Sequence, residues 1–503
     1  MFVSEKILVG KTKDGVEAAI LPKMANRHGL ITGASGSGKT VTLKVLAESF
    51  SAAGIPVFLT DVKGDLAGMS QPGDYSEKIK ERVEGLKLEG YKNQSFPTQY
   101  FDMDGKSGHP IRTTVSSVGP RLLARLLDLS DAQEEILGII FKISADEHLE
   151  LDNLDDLNSL VSYVDSKKKE YSAKYGNLST QSLTTIRRAV MNFKESGDNF
   201  FGEPAFDIHD LMRTEAGTGR GYISVLDAEN LFKNPTTYVT TLLWLLTTIY
   251  NELPEVGDLD RPKLIFFLDE AHLIFSEMKD GVIKQLVQIV KLIRSKGVGL
   301  YFVSQSPSDI KDEILSQLGN RVQHVLRAYT KTDEKSITAA ANGFRKNPNF
   351  NTEETIKLLA TGEALVSFQT EKGEPSIVEK VTILPPESRM GTISPEERQS
   401  AIRQNSLYGK YENATNDDSA TEKIERINEE TKRAEEAERA RLQKEKEDAA
   451  RAKEAAKTAS RGTTTTRGTV GRPKKSTAEK AADKLIDKTL NKLTSKLINS
   501  IFK

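Results

Sequence analysis

The segment Gly33-Ala34-Ser35-Gly36-Ser37-Gly38-Lys39-Thr40 places glycines, a lysine and a hydroxyl at the spacing G-x-x-x-x-G-K-[ST]. Holding a triphosphate requires backbone N–H groups turned inward at close range, which glycine permits. It also requires a helix N-terminus facing the anion, an ammonium on the outer phosphates and a hydroxyl for Mg2+. The octapeptide supplies these parts and Val41 continues into an apolar-striped helix, so ATP and Mg2+ are the expected ligands. A second constellation lies far downstream, where the apolar run Leu264–Leu268 ends in Asp269 and Glu270. An aspartate at a strand tip can hold Mg2+ beside the Thr40 hydroxyl, and the adjacent glutamate can polarise an attacking water. Gln305 ends the following strand, where a polar side chain can sense the terminal phosphate or orient water. Asp61 ends the strand after the loop's helix and adds to the polar edge. Arg294, Arg321 and Arg327 are the candidates for an arginine that meets transition-state charge, in cis or from a neighbouring subunit.

These groups need a scaffold that brings strand ends together. Gly29–Thr32, then the helix with Val41, Leu43, Val45, Leu46 and Phe50, then Pro56–Thr60 alternate strand, helix and strand, which predicts a parallel α/β sheet. Residues 1–25 read as a short hairpin, and 26–110 as the first part of the nucleotide-binding core. Periodic Leu/Ile segments across 111–215 predict an inserted helical subdomain, which accounts for the long gap between Lys39 and Asp269. The core resumes over 216–390. A charged helical extension follows over 391–460, its Glu–Arg pairs at i,i+4 (Glu422–Arg426, Glu429–Arg433, Glu435–Arg439, Glu447–Arg451) predicting a solvated single helix. Residues 461–478 read as a disordered basic linker and 479–503 as an amphipathic helix.

The chain has 503 residues and a net charge of −1, but the stretch from Thr458 to Lys503 holds eleven Lys/Arg against three Asp/Glu. A basic tail thus follows an acidic body, and Gly471-Arg472-Pro473 with Lys474 and Lys475 resembles the core of an AT-hook. There is no cysteine, which excludes disulfides, zinc-thiolate sites and thiol nucleophiles. No apolar run reaches the ~18 residues of a membrane span, and the first residues lack a signal pattern, so a cytoplasmic protein is expected.

Five segments together resemble the HerA/FtsK group of P-loop ATPases, most closely the HerA-like proteins of the YjgR type. They are Asn26-Arg27-His28-Gly29-Leu30-Ile31, Leu59-Thr60-Asp61-Val62-Lys63-Gly64-Asp65, Leu268-Asp269-Glu270-Ala271-His272, Val303-Ser304-Gln305 and Gly319-Asn320-Arg321-Val322, within residues 1–390. The resemblance implies a RecA-like core, a hexameric ring and ATP-driven movement along double-stranded DNA. It carries the phosphate role to Lys39 and Thr40, the metal role to Asp269, the catalytic role to Glu270 and the strand-end role to Gln305. It also implies an arginine finger, at Arg321 or Arg327. HerA proper begins with a sizeable β-barrel that engages a nuclease, whereas about 25 residues precede the loop region in this sequence. The alternative left open is an ATP-dependent regulatory or assembly switch that acts on a protein partner without moving on DNA.

Overall fold

The computed structural model describes residues 1–415 and 418–460. Among them are thirteen strands: β1 (Phe2–Val3), β2 (Lys6–Lys11), β3 (Glu17–Ile20), β4 (Gly29–Thr32), β5 (Val57–Asp61), β6 (Thr98–Asp102), β7 (His109–Pro110), β8 (Ile223–Asp227), β9 (Leu264–Leu268), β10 (Val298–Ser304), β11 (Asn320–Gln323), β12 (Glu363–Ser367) and β13 (Glu379–Ile383). They form one sheet in the order β1-β2-β13-β12-β11-β4-β10-β9-β5-β8-β6-β7, with β3 paired to β2. From β11 to β7 every pairing is parallel. From β11 through β12, β13 and β2 to β1 and β3 every pairing is antiparallel. The expected N-terminal hairpin therefore lengthens the sheet by pairing with β13.

The RecA-like order is visible in the parallel block, where the loop-bearing β4 lies between β10 and β11, with β9 and then β5 beyond. Strands β9 (LIFFL) and β10 (VGLYFVS) are buried along their whole length, so their continuous apolar runs follow from cover on both faces. The helix Lys39–Ala52 packs Leu43, Leu46, Ala47 and Phe50 into the core with Ile31, Leu59 and Phe267. Buried His28 ties this region together: its Nδ1 accepts the Leu300 N–H at 3.0 Å, so its Nε2 carries the proton and donates to Val290 O at 2.9 Å. No described helix is long and apolar enough to cross a membrane.

Between β7 and β8 the described chain is helical, including Val115–Leu126, Asp131–Asp146, Leu154–Ser166, Lys168–Tyr175 and Thr180–Gly197. The described chain divides into two units: Met1–Glu134 with Asn192–Thr415, and Glu135–Met191 with residues 418–460. Within the second unit, the helix Ala420–Ser460 packs its first turns on Leu154–Ser166, and Ile424 and Ile427 are buried. The fully buried Asp156 joins them. Its Oδ2 accepts the N–H groups of Asp152 and Asn153, both at 3.0 Å, and its Oδ1 accepts Ser419 Oγ at 2.6 Å and Thr421 N–H at 3.1 Å. Past Ile427 the helix is largely solvated, and the Glu429–Arg433 pair closes at 3.4 Å. The expected Glu422–Arg426 pair is replaced. Arg426 reaches Asp418 at 2.6 Å, while Glu422 turns back to accept the Ser419 N–H at 3.2 Å. An acceptor for the helix's first turn competes better than an exposed ion pair worth a few tenths of a kcal/mol. The AT-hook-like segment, the basic linker and the last expected helix lie outside the described residues.

Asp156→Ala leaves several buried donors without an acceptor and is expected to cost on the order of 3 kcal/mol locally. Hydrogen exchange checks this: amides of residues 152–160 and 419–427 should lose protection together, while β9 and β10 keep theirs.

Candidate nucleotide site

The chain leaves β4 into a loop whose backbone only glycine adopts easily: Gly36 has φ +73° and Gly38 φ +111°. Gly38 is the N-cap of Lys39–Ala52 and no side chain caps that helix, so its N-terminal amides remain directed at the loop's concavity. Ala34 N–H donates to Val325 O at 2.9 Å, and Gly362 N–H to Ser37 O at 3.2 Å, which fixes the loop from behind. Lys39 Nζ donates to Gly33 O at 2.7 Å and Ala34 O at 3.2 Å. Burial pushes its pKa down, opposed by the charges of Glu270 and Asp269.

A cavity of about 270 Å³ opens at the ends of the parallel strands. It brings together Ser35, Gly36, Gly38, Lys39, Thr40 and Val41 from the loop with Asp269, Glu270 and Gln305. Gly33, Ala34 and Ser37 stand behind it as frame. Burial, reinforced by neighbouring Glu270, pushes the Asp269 carboxyl up to about 7. Glu270 takes a left-handed backbone, φ +47°, and its N–H donates to Asp269 Oδ1 at 2.8 Å. His272 Nδ1 approaches Glu270 Oε2 to 3.4 Å without hydrogen-bond geometry.

The candidate arginines are elsewhere. Arg321 donates to the carbonyls of Leu318, Gly343 and Leu315 at 3.1, 2.9 and 2.9 Å, a role in holding backbone. Arg327 is exposed, and neither it nor Arg294 lines the cavity. Asp61 is buried, with its pKa pushed up to about 6 by burial and by Asp65. Its Oδ2 accepts the N–H groups of Leu66 and Ala67 at 3.1 and 3.0 Å, so it shapes the loop that presents Lys63 and Leu66 to the cavity.

Sequence reasoning missed Lys63 and His324. His324 follows β11 and is buried; its Nδ1 lies 3.0 Å from Glu363 O, a group that can only accept. Nδ1 therefore carries the proton, and Nε2 accepts the Thr42 hydroxyl at 2.8 Å. A Cβ on Gly33 would lie 2.5 Å from His324 Cβ, so the glycine and the histidine are fitted to each other. The signal that could have found it is the one that found Gln305, a polar residue directly after a buried strand.

The donor set fits ATP and Mg2+. Thr40 and Asp269 offer hard oxygens to one cavity, and no group of three or more metal-ligating side chains occurs among the described residues. Mg2+ at phosphate sites is held by one or two protein oxygens together with the phosphates and water.

A glycine-rich loop on a helix N-terminus, facing an Asp-Glu pair across a RecA-like sheet, defines a P-loop nucleotide-binding protein. The family model described as "Helicase HerA-like C-terminal" matches residues 6–503, and the chain belongs to that family. It is 24% identical over 379 residues to "DNA double-strand break repair helicase HerA" of Sulfurisphaera tokodaii, covering 73% of this chain and 67% of the relative. It is 31% identical over 122 residues to "Probable helicase MJECL08" of Methanocaldococcus jannaschii, covering 24% and 22%. The chain thus spans 67% of one of these relatives and 22% of the other. Among solved structures, the plasmid coupling protein TrwB with a non-hydrolysable ATP analogue aligns at TM-score 0.49 and 16% identity, over 76% of this chain and 90% of TrwB.

His28 and His324 are both pushed down by burial, from an ordinary 6.5 to about 4. Between those values the unfolded chain binds more protons than the folded one, so these groups lower stability as pH falls through that window. Each contributes on the order of 1 kcal/mol per pH unit there. The raised carboxyls of Asp269 and Asp61 act in the opposite sense over the same window, so the contribution is read as a difference: between about pH 6.5 and about pH 4.5 the melting temperature of His324→Gln should rise relative to that of the wild type as pH falls.

Proposed function

We propose that this chain is an ATP-hydrolysing, HerA-like cytoplasmic motor that moves along double-stranded DNA as a hexameric ring. The observation that carries the ATPase part is the single cavity shared by Lys39, Thr40, Asp269, Glu270 and Gln305. The family, and relatives named as helicases, support DNA as the partner.

In this reading the loop amides and Lys39 bind the phosphates, Lys39 exchanging its loop carbonyls for phosphate oxygens. Thr40 and Asp269 would hold Mg2+, which supplies neutralisation of the outer phosphate charge. Glu270 orients a water against the γ-phosphorus and takes its proton. The new bond joins the water oxygen to phosphorus, the bond to the β,γ-bridging oxygen breaks, and its electron pair leaves with ADP. Gln305, directly after β10, positions the water or registers loss of the γ-phosphate.

Purified protein should hydrolyse ATP faster with long linear duplex DNA, and Lys39→Ala should abolish both rates. Glu270→Gln should retain ATP binding and lose about 10²–10³-fold in kcat, the scale of a lost base and its electrostatic support. Lys39-dependent hydrolysis that ignores DNA would move the assignment to the protein-directed switch. Light scattering with ATP and DNA present reads the ring directly through its mass.

A further inference from the structure

Two ammonium groups line the cavity, Lys39 and Lys63. Lys39 is engaged by the loop carbonyls. Lys63 is exposed, and among the described residues no hydrogen bond or ion pair holds its Nζ. Its position is nevertheless constrained. Strand β5 pairs with β9 in parallel register, Phe58 beside Phe266, so the loop after Asp61 emerges alongside Asp269. Asp61 Oδ2 clamps the far side of that loop through Leu66 and Ala67, and Gly64 turns it with φ +73°. Lys63 thus sits in a pinned turn and lines the cavity. Its charge acts on both neighbours, adding to the fall that burial imposes on Lys39 and opposing part of the rise that burial imposes on Asp269.

Within one chain the arginines do not occupy this place, since Arg321 is held by three carbonyls and Arg327 and Arg294 lie outside the cavity, and an arginine from a neighbouring subunit would act beside Lys63. Phosphoryl transfer spreads charge over the equatorial oxygens and the leaving oxygen, and a fixed cation there lowers the barrier without moving a proton.

We propose that Lys63 is a catalytic residue of the ATPase reaction, binding the γ-phosphate and stabilising the charge that develops as its bond to ADP breaks. The inference rests on the ATP reading above. It adds a transition-state cation that each chain carries for itself, with Glu270 still receiving the proton of the attacking water.

The test compares Lys63→Ala, Lys63→Gln and Lys63→Arg in the full chain, with Lys39→Ala and Glu270→Gln as references. Calorimetry measures binding of ADP and of ADP with aluminium fluoride, a mimic of the transferring phosphate; single-turnover hydrolysis gives the chemical step. Lys63→Ala should lower kcat about 100-fold with KM within about threefold, and Lys63→Arg should recover at least about tenfold. Affinity for ADP with aluminium fluoride should fall by a similar factor while ADP affinity holds. If Lys63→Ala keeps kcat within about threefold, or weakens ADP and the mimic equally, the inference is overturned. If Lys39→Ala binds nucleotide normally, the phosphate-site reading itself falls, which is a separate result.

Discussion

The parallel register of β4, β10, β9 and β5 determines where chemistry can occur in this protein. Ser304 lies beside Thr32, Phe302 beside Leu268, and Phe58 beside Phe266. The four strands end at neighbouring levels, and the residues that follow them must converge at one edge of the sheet. Side chains alternate along a strand, so a slip of one residue would turn each of these buried strands inside out. Close packing on both faces makes that slip costly, because each side chain would meet neighbours fitted to another, and thereby fixes the site. Ligands in open α/β sheets bind at this edge for the same reason.

Convergence has an electrostatic consequence. Removing the cavity walls from water penalises whatever charge they carry, so Asp269 is pushed up and Lys39 down. Each is nearer neutrality alone than it would be with an opposite charge beside it. A triphosphate with its cation restores that charge to both at once, so binding and the ionisation of the site are coupled. The loop carbonyls that hold Lys39 keep its ammonium solvated by protein until phosphate oxygens replace them.

The loop and the Asp269-Glu270 pair were legible in the sequence because each is continuous with the strand that positions it. The parallel sheet was legible from the same alternation, and so was the helical character of the chain between β7 and β8. What stayed hidden depends on partners distant in sequence. His324 braces the loop from 282 positions beyond Thr42, and its place directly after a buried strand marks a polar strand end without naming the partner it meets. The three carbonyls that Arg321 meets are likewise gathered only by the folded chain. Asp61 was read as a polar edge and acts as a backbone clamp. The Glu422–Arg426 spacing was correct for a helix, but spacing cannot show that the Ser419 N–H offers Glu422 a better partner.

Glu270 shows how the sheet dictates chemistry down to a single dihedral. Before it, Asp269 continues from β9 and turns its own Oδ1 back onto the Glu270 N–H. After it, Ala271 N–H is tied to Val303 O on β10 at 3.0 Å. The chain must reverse between these two anchors, and Glu270 absorbs the turn at φ +47°. A left-handed backbone costs a non-glycine residue about 1–2 kcal/mol. Glycine would take this conformation more cheaply but would bring no carboxylate, and an unstrained glutamate would leave the strand end in another direction. Strain held by surrounding structure at a pocket supports the role proposed above for Glu270. The two flanking hydrogen bonds oppose relaxation, so the carboxylate faces the phosphate cavity before any ligand arrives.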